Sequence, residues 1–165
     1  MINLEPIKNM SREERYKYMN ILLKGQLSSE RDPIANIANG AALIFNIVED
    51  LNWAGFYILR DGELVLGPFQ GLPACNRIKI GKGVCGKAVE TREIQMVEDV
   101  DLFPGHIACD SASKSELVLP IIKDNKVYGV LDLDSPIKAR FTDLEKKYFI
   151  EFMESLNKYI DWEKV

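Results

Sequence analysis

The sequence predicts an α+β domain, with helices at both ends of the chain around a central run of antiparallel strands. Three observations carry this. A capping box, Ser11-Arg12-Glu13-Glu14, and an Asp32-Pro33 helix start open two helices in the first third of the chain. Strand-like runs joined at Asp61-Gly62 and around Lys123-Asp124-Asn125 mark two hairpins in the middle. A second capping box, Thr142-Asp143-Leu144-Glu145, opens a last helix.

Taken in order, the first helix carries Met19, Leu22, Leu23 and Leu27 at helical spacing. The second starts at Pro33, and its expected buried stripe is Ile34, Ile37, Ala38, Ala41, Phe45 and Val48. Strands are expected over residues 53–59 and 63–66, and a third, short one over 76–80. The glycine-rich turn at 81–86 leads into a short helix over 84–91. Another strand covers 93–97. Residues 98–113 form a long connection with Pro104 and Gly105, and long connections are often functional. The second hairpin pairs residues 116–122 with 126–134. The last helix carries Leu144, Tyr148, Phe152, Leu156 and Tyr159. The whole is read as one domain over 1–165: helices over about 10–50, sheet and loops over about 53–135, and the last helix over about 142–160.

Length and composition narrow the function. At 165 residues the chain folds as one domain and buries roughly 70% of its extended surface, so it needs no crosslinks to form a core. Its net charge of −4, with no dense Lys/Arg patch, argues against nucleic acid. No run approaches the apolar length of a membrane span, and MINLEPIKNM has no apolar signal region. The expected compartment is the cytoplasm, where thiols stay reduced.

The cysteines are the unusual feature. Cys75, Cys85 and Cys109 share one window with the sole histidine, His106. Three readings compete. Buried free cysteine packs as a small hydrophobe. A zinc site could use Cys75, Cys85, Cys109 and His106, but His106-x-x-Cys109 is the only close pair, whereas structural sites usually show paired close ligands. Redox catalysis fits a cysteine on a long loop (Cys109), one near a helix start where the dipole favours thiolate (Cys85), and one in a second loop after Pro73 (Cys75). His106 reads as a loop residue rather than a base.

Glu116, Asp132 and Asp134 form the second candidate group. Read singly, strand-end acids are solvated. The hairpin register brings them together. With Lys123-Asp124-Asn125 as a three-residue loop, Ile121, Leu119 and Leu117 oppose Val127, Gly129 and Leu131 on a clean apolar face. Glu116 then opposes Asp132 on the other face, with Asp134 two residues along, beside Val118, Val130 and Tyr128. Three clustered acids repel one another. A substrate ammonium would offset them, and one acid held protonated by its neighbours could donate a proton. Trp53 and Tyr57 share one strand face.

The stretches NWAGFYIL, LGPFQGLPAC, IKIGKGVCGKAV, FPGHIACD, SELVLPI and VYGVLDLDSP resemble the free methionine-(R)-sulfoxide reductases, which are built on a GAF domain. The match is close over residues 52–136, and the three cysteines, ten and twenty-four residues apart, are its most specific part. The resemblance implies a single GAF domain with a central six-stranded antiparallel sheet flanked by helices, a closed pocket on one face, and a homodimer. It implies thiol-dependent reduction of free methionine-(R)-sulfoxide without metal or cofactor, with thioredoxin or a similar dithiol as reductant. Cys109 is then the nucleophile, Cys75 the main resolver, and Cys85 a secondary resolver or a pocket residue. Glu116, Asp132 and Asp134 are substrate-binding or catalytic positions. Trp53, with Tyr57 beside it, is either a core residue or an aromatic wall for the S-methyl group. Lys114 or loop backbone N–H groups are candidates for the substrate carboxylate. The alternative is a GAF sensor of a small ligand or of oxidants, although 165 residues leave no room for an output domain.

Overall fold

In the structure, a computed structural model that describes residues 3–107 and 111–165, the first capping box closes in both directions. The Ser11 side chain accepts from the Glu14 backbone N–H, and the Glu14 carboxylate accepts from the Ser11 backbone N–H. Helix α1 runs Arg12–Ser29. Helix α2, Pro33–Ile47, starts where the Asp32 carboxylate accepts from the Ala35 N–H at 2.8 Å. Strands β1 (Trp53–Arg60) and β2 (Glu63–Gly71) pair through the two-residue turn Asp61-Gly62. A short β3 (Arg77–Lys79), helix α3 (Gly83–Thr91) and a short β4 (Gln95–Val97) follow. Strands β5 (Ser115–Lys123) and β6 (Lys126–Ser135) form the second hairpin, and α4 (Asp143–Tyr159) closes the domain from the Thr142–Glu145 capping box.

The strands make one antiparallel sheet in the order β3-β2-β1-β6-β5-β4. Side-chain alternation gives it two buried faces. Ala54, Phe56, Leu117, Leu119, Leu131 and Leu133 point to one face, where α1, α2 and α4 cover them. Trp53, Tyr57, Val118 and Val130 point to the other, against Ile78, Val84, Cys85 and Ala88 from β3 and α3.

Three expectations need correction. The buried stripe of α2 is Ile37, Gly40, Ala41, Ile44 and Ile47, while Ile34 is exposed and Ala38 and Phe45 are half-buried. This helix is apolar nearly all round, so periodicity could not choose its face. Tyr159 on α4 is exposed, and Phe149 and Met153 take its place in the core. The β5–β6 loop has two residues, Asp124 and Asn125, both left-handed (φ 50° and 62°), rather than three. A bulge then inserts Tyr128: Ile122 pairs with Val127, but Ile121 pairs with Gly129. Beyond it, Leu117 opposes Leu133 and Glu116 opposes Asp134, not Asp132. Tyr128 consequently packs toward the helical face and its hydroxyl donates to Glu163. Gly129 permits the local approach to β1, since a Cβ there would lie 2.1 Å from the Tyr57 carbonyl oxygen.

The helical layer also holds a buried charge. Glu145 is fully buried and accepts from the Tyr16 hydroxyl at 2.6 Å and from Arg140 at 3.1 Å. Burial alone would raise its pKa, but hydrogen bonds from Tyr16 and Thr142 and the Arg12 charge hold it down at about 2. Glu145→Gln should lower stability by about 3 kcal/mol by removing the buried carboxylate that Arg12 and Arg140 share, which is a loss of about 10 °C in Tm. The folded pKa lies below the ordinary 4.5. The contribution of the carboxylate is therefore complete above pH 4.5 and is lost as pH falls toward 2. Thermal melts of both proteins across that range should converge at the acid end.

Candidate active site

The second sheet face ends in a small pocket between α3, the start of β5 and the end of β6. Alternation places Glu116 of β5 and Asp132 and Asp134 of β6 on this face, and all three line the pocket with Cys85, His106 and Ser113. The two-residue shift in the β5–β6 register keeps these three side chains on one face. Glu116 and Asp132 are 5% and 6% exposed, so these acids are not solvated strand ends. The cavity is about 30 Å³, room for roughly one water.

Cys85 sits at the third position of α3, 3% exposed, with its S–H directed at Glu116 Oε1 at 3.9 Å. The polar atoms of Cys85, Glu116 and Asp132 all lie within 4.8 Å of one another. Burial raises the pKa of each well above its ordinary value. The Asp134 charge adds to this for Glu116, Glu116 for Asp132, and both acids for Cys85. A thiol in this setting stays protonated at neutral pH. That corrects the expectation of a dipole-favoured thiolate, because burial and two adjacent acids outweigh a helix terminus. Cys85 should resist iodoacetamide at neutral pH in the folded protein and react on unfolding. Rapid labelling of Cys85 by peptide mass mapping would contradict this assignment.

Proton sharing between Glu116 and Asp132 lets two acids coexist without solvent. His106 places Nε2 3.7 Å from Glu116 Oε2, and burial lowers its pKa. The imidazole is therefore neutral at neutral pH and the contact is not an ion pair. Sequence reasoning read His106 as an ordinary loop residue. Its position on the long connection was the available signal.

Trp53 and Tyr57 lie beneath the pocket rather than in its lining. Trp53 stacks on Tyr57 and Phe69 with ring centroids 5.8 and 5.3 Å apart. Burial and the nearby Asp132 charge raise the Tyr57 pKa, and its hydroxyl donates to the Cys75 carbonyl at 3.0 Å. This bond ties the β2–β3 loop to the sheet. Cys75 is half-buried in that loop and is disulfide-bonded, while Cys85 is free. Cys109 lies outside the described residues. The zinc set of Cys75, Cys85, Cys109 and His106 is not available with Cys75 in a disulfide. Among the described residues the group able to hold a metal is Cys85, Glu116 and Asp132. Lys114 is paired with Asp101 at 3.5 Å and does not line the pocket, whereas Gly83 and Val84 at the start of α3 do. No described helix is long and apolar enough to cross a membrane.

A GAF-domain family model matches residues 38–160. The chain is 52% identical over 149 residues to Protein YtsP of Bacillus subtilis, covering 89% of this chain and 91% of that protein. It is 46% identical over 151 residues to the free methionine-R-sulfoxide reductase of Escherichia coli, covering 92% of each. The free methionine-R-sulfoxide reductase of Neisseria meningitidis, solved in complex with its substrate, superposes with a TM-score of 0.89 at 38% identity, over 94% of this chain and 93% of that one.

Proposed function

Because the chain belongs to the free methionine-(R)-sulfoxide reductases of the GAF family, we propose that its pocket reduces free methionine-(R)-sulfoxide to methionine with Cys109 as nucleophile and Cys75 as resolving thiol. The observation that carries the reading is the disulfide at Cys75, tied by Tyr57 to a sheet face bearing three clustered acids. Cys109 lies outside the described residues, and the family resemblance implies it as the partner of Cys75.

The Cys109 thiolate attacks the sulfoxide sulfur. The S–O bond breaks, the oxygen is protonated, and it ends on Cys109 as a sulfenic acid while methionine leaves with two electrons from the cysteine sulfur. The proton comes from the Glu116/Asp132 pair, which burial leaves sharing one proton and one negative charge. Cys75 then displaces water from the sulfenic acid and forms the disulfide. The substrate ammonium sits among Glu116, Asp132 and Asp134. The uncapped N-terminus of α3 at Gly83 and Val84, on the same pocket, suits the α-carboxylate. Cys85 acts as a pocket residue rather than a resolver, and Trp53 as a buried support beneath the site.

Turnover needs the disulfide reopened to restore the Cys109 thiolate. A thioredoxin-type dithiol opens it by exchange. A homodimer, which the family resemblance implies, and a cytoplasmic location complete the proposal.

Reduced protein given substrate without reductant should release one methionine per chain and acquire one disulfide. Peptide mapping should place it between Cys75 and Cys109. A Cys85–Cys109 bridge would overturn the choice of resolver, and three free thiols after methionine release would overturn the mechanism.

A further inference from the structure

The group formed by Cys85, Glu116 and Asp132 has a ligand chemistry that sulfoxide reduction does not use. We propose that it also binds a thiophilic divalent metal ion, with Zn²⁺ as the reference ion, and that metal and substrate ammonium exclude each other from the pocket. The metal site stands on geometry alone; the competition rests on the reductase reading above.

One thiol and two carboxylates are ordinary zinc donors. A tetrahedral zinc with bonds of about 2.3 Å to sulfur and about 2.0 Å to oxygen separates those two ligands by roughly 3.5 Å. Cys85 Sγ and Glu116 Oε1 are 3.9 Å apart, and all three donor atoms fall within 4.8 Å. Side-chain shifts of a few tenths of an ångström to about an ångström close the cage. His106 lines the same cavity with Nε2 3.7 Å from the other Glu116 oxygen, where it can add an imidazole ligand.

A second observation points to a cation. Asp132 is 6% exposed and lines the pocket, yet its Oδ1 has no hydrogen-bond partner among the described residues. Buried carboxylate oxygens are normally satisfied, and a bound cation satisfies this one. The cavity of about 30 Å³ accepts an ion where it excludes a larger ligand. Sulfur in the donor set selects Zn²⁺ and its neighbours over Mg²⁺ and Ca²⁺. On binding, the Cys85 S–H proton and the proton shared by Glu116 and Asp132 pass to solvent, and sulfur–metal and oxygen–metal bonds form with no change of oxidation state.

The test uses the disulfide-bonded protein, in which Cys85 is the remaining thiol, with no substrate present. Equilibrium dialysis should find one Zn²⁺ per chain. Co²⁺ should produce a thiolate-to-cobalt charge-transfer band that Zn²⁺ displaces. Cys85→Ser should remove the band, and Asp132→Asn should weaken Zn²⁺ binding tenfold or more. Co²⁺ bound without a charge-transfer band, or Zn²⁺ affinity unchanged in Asp132→Asn, would overturn the site. Should Cys85→Ser fail to fold, the wild-type spectrum still decides, since no other thiol is available to give the band. In Cys75→Ser/Cys109→Ser protein, methionine sulfoxide should displace Zn²⁺. Zn²⁺ retained at saturating sulfoxide would overturn the shared pocket while leaving the metal site intact. Absence of metal binding leaves sulfoxide turnover untouched, so the two readings fail separately.

Discussion

Cys109→Ser should reduce kcat/KM for free methionine-(R)-sulfoxide by about four decades or more, the scale on which enzymes lose activity with their nucleophile. Serine cannot take the oxygen and return two electrons, so no residual redox route exists through that position. Cys75→Ser should behave differently. It keeps the nucleophile and loses the resolver, so one methionine per chain should appear in a burst before turnover stalls at the sulfenic acid. Quench-flow measurement of methionine separates the two. A burst in Cys109→Ser, or none in Cys75→Ser, would reverse the assignment.

N-acetyl-methionine sulfoxide should be a poor substrate, with kcat/KM lower by about two to four decades. It keeps the reacting sulfur and loses the α-ammonium that Glu116, Asp132 and Asp134 surround. Opposing a buried carboxylate with an uncharged amide costs on the order of 3–5 kcal/mol. Methionine sulfoxide within a protein chain should be excluded for the same reason. Glu116→Gln and Asp132→Asn should lower kcat rather than only raise KM, because the pair also supplies the proton. In the wild type, kcat should fall as pH rises through the raised pKa of that pair, since the donor is then lost. Equal rates on free and acetylated substrate would show that the acids do not read the ammonium.

The parts of this architecture set by neighbours in sequence were readable there. Both capping boxes, the Asp32-Pro33 start and the Asp61-Gly62 turn involve residues within four positions of one another. The β5–β6 register was not readable, because the bulge at Tyr128 goes with Gly129 closing on the Tyr57 carbonyl, a contact between distant strands. The acids were grouped on the right face nonetheless. A two-residue loop plus a one-residue bulge shifts the pairing by an even number relative to a three-residue loop, and an even shift preserves side-chain parity. Cys85 failed for the opposite reason. The helix dipole is a local argument, and the acids that oppose it arrive from β5 and β6. The lining role of His106 depends on how the long connection folds over the pocket, which no local pattern encodes.

The central claim is tested most directly by incubating the reduced protein with each epimer of free methionine sulfoxide, a thioredoxin-type dithiol and its recycling system, and measuring methionine and oxidised dithiol together. The account predicts many turnovers on the R epimer, one methionine for each dithiol oxidised, and no appreciable turnover of the S epimer. Saturable binding of the sulfoxide with no methionine formed from either epimer would contradict it, and would make the pocket that of a ligand-binding GAF module.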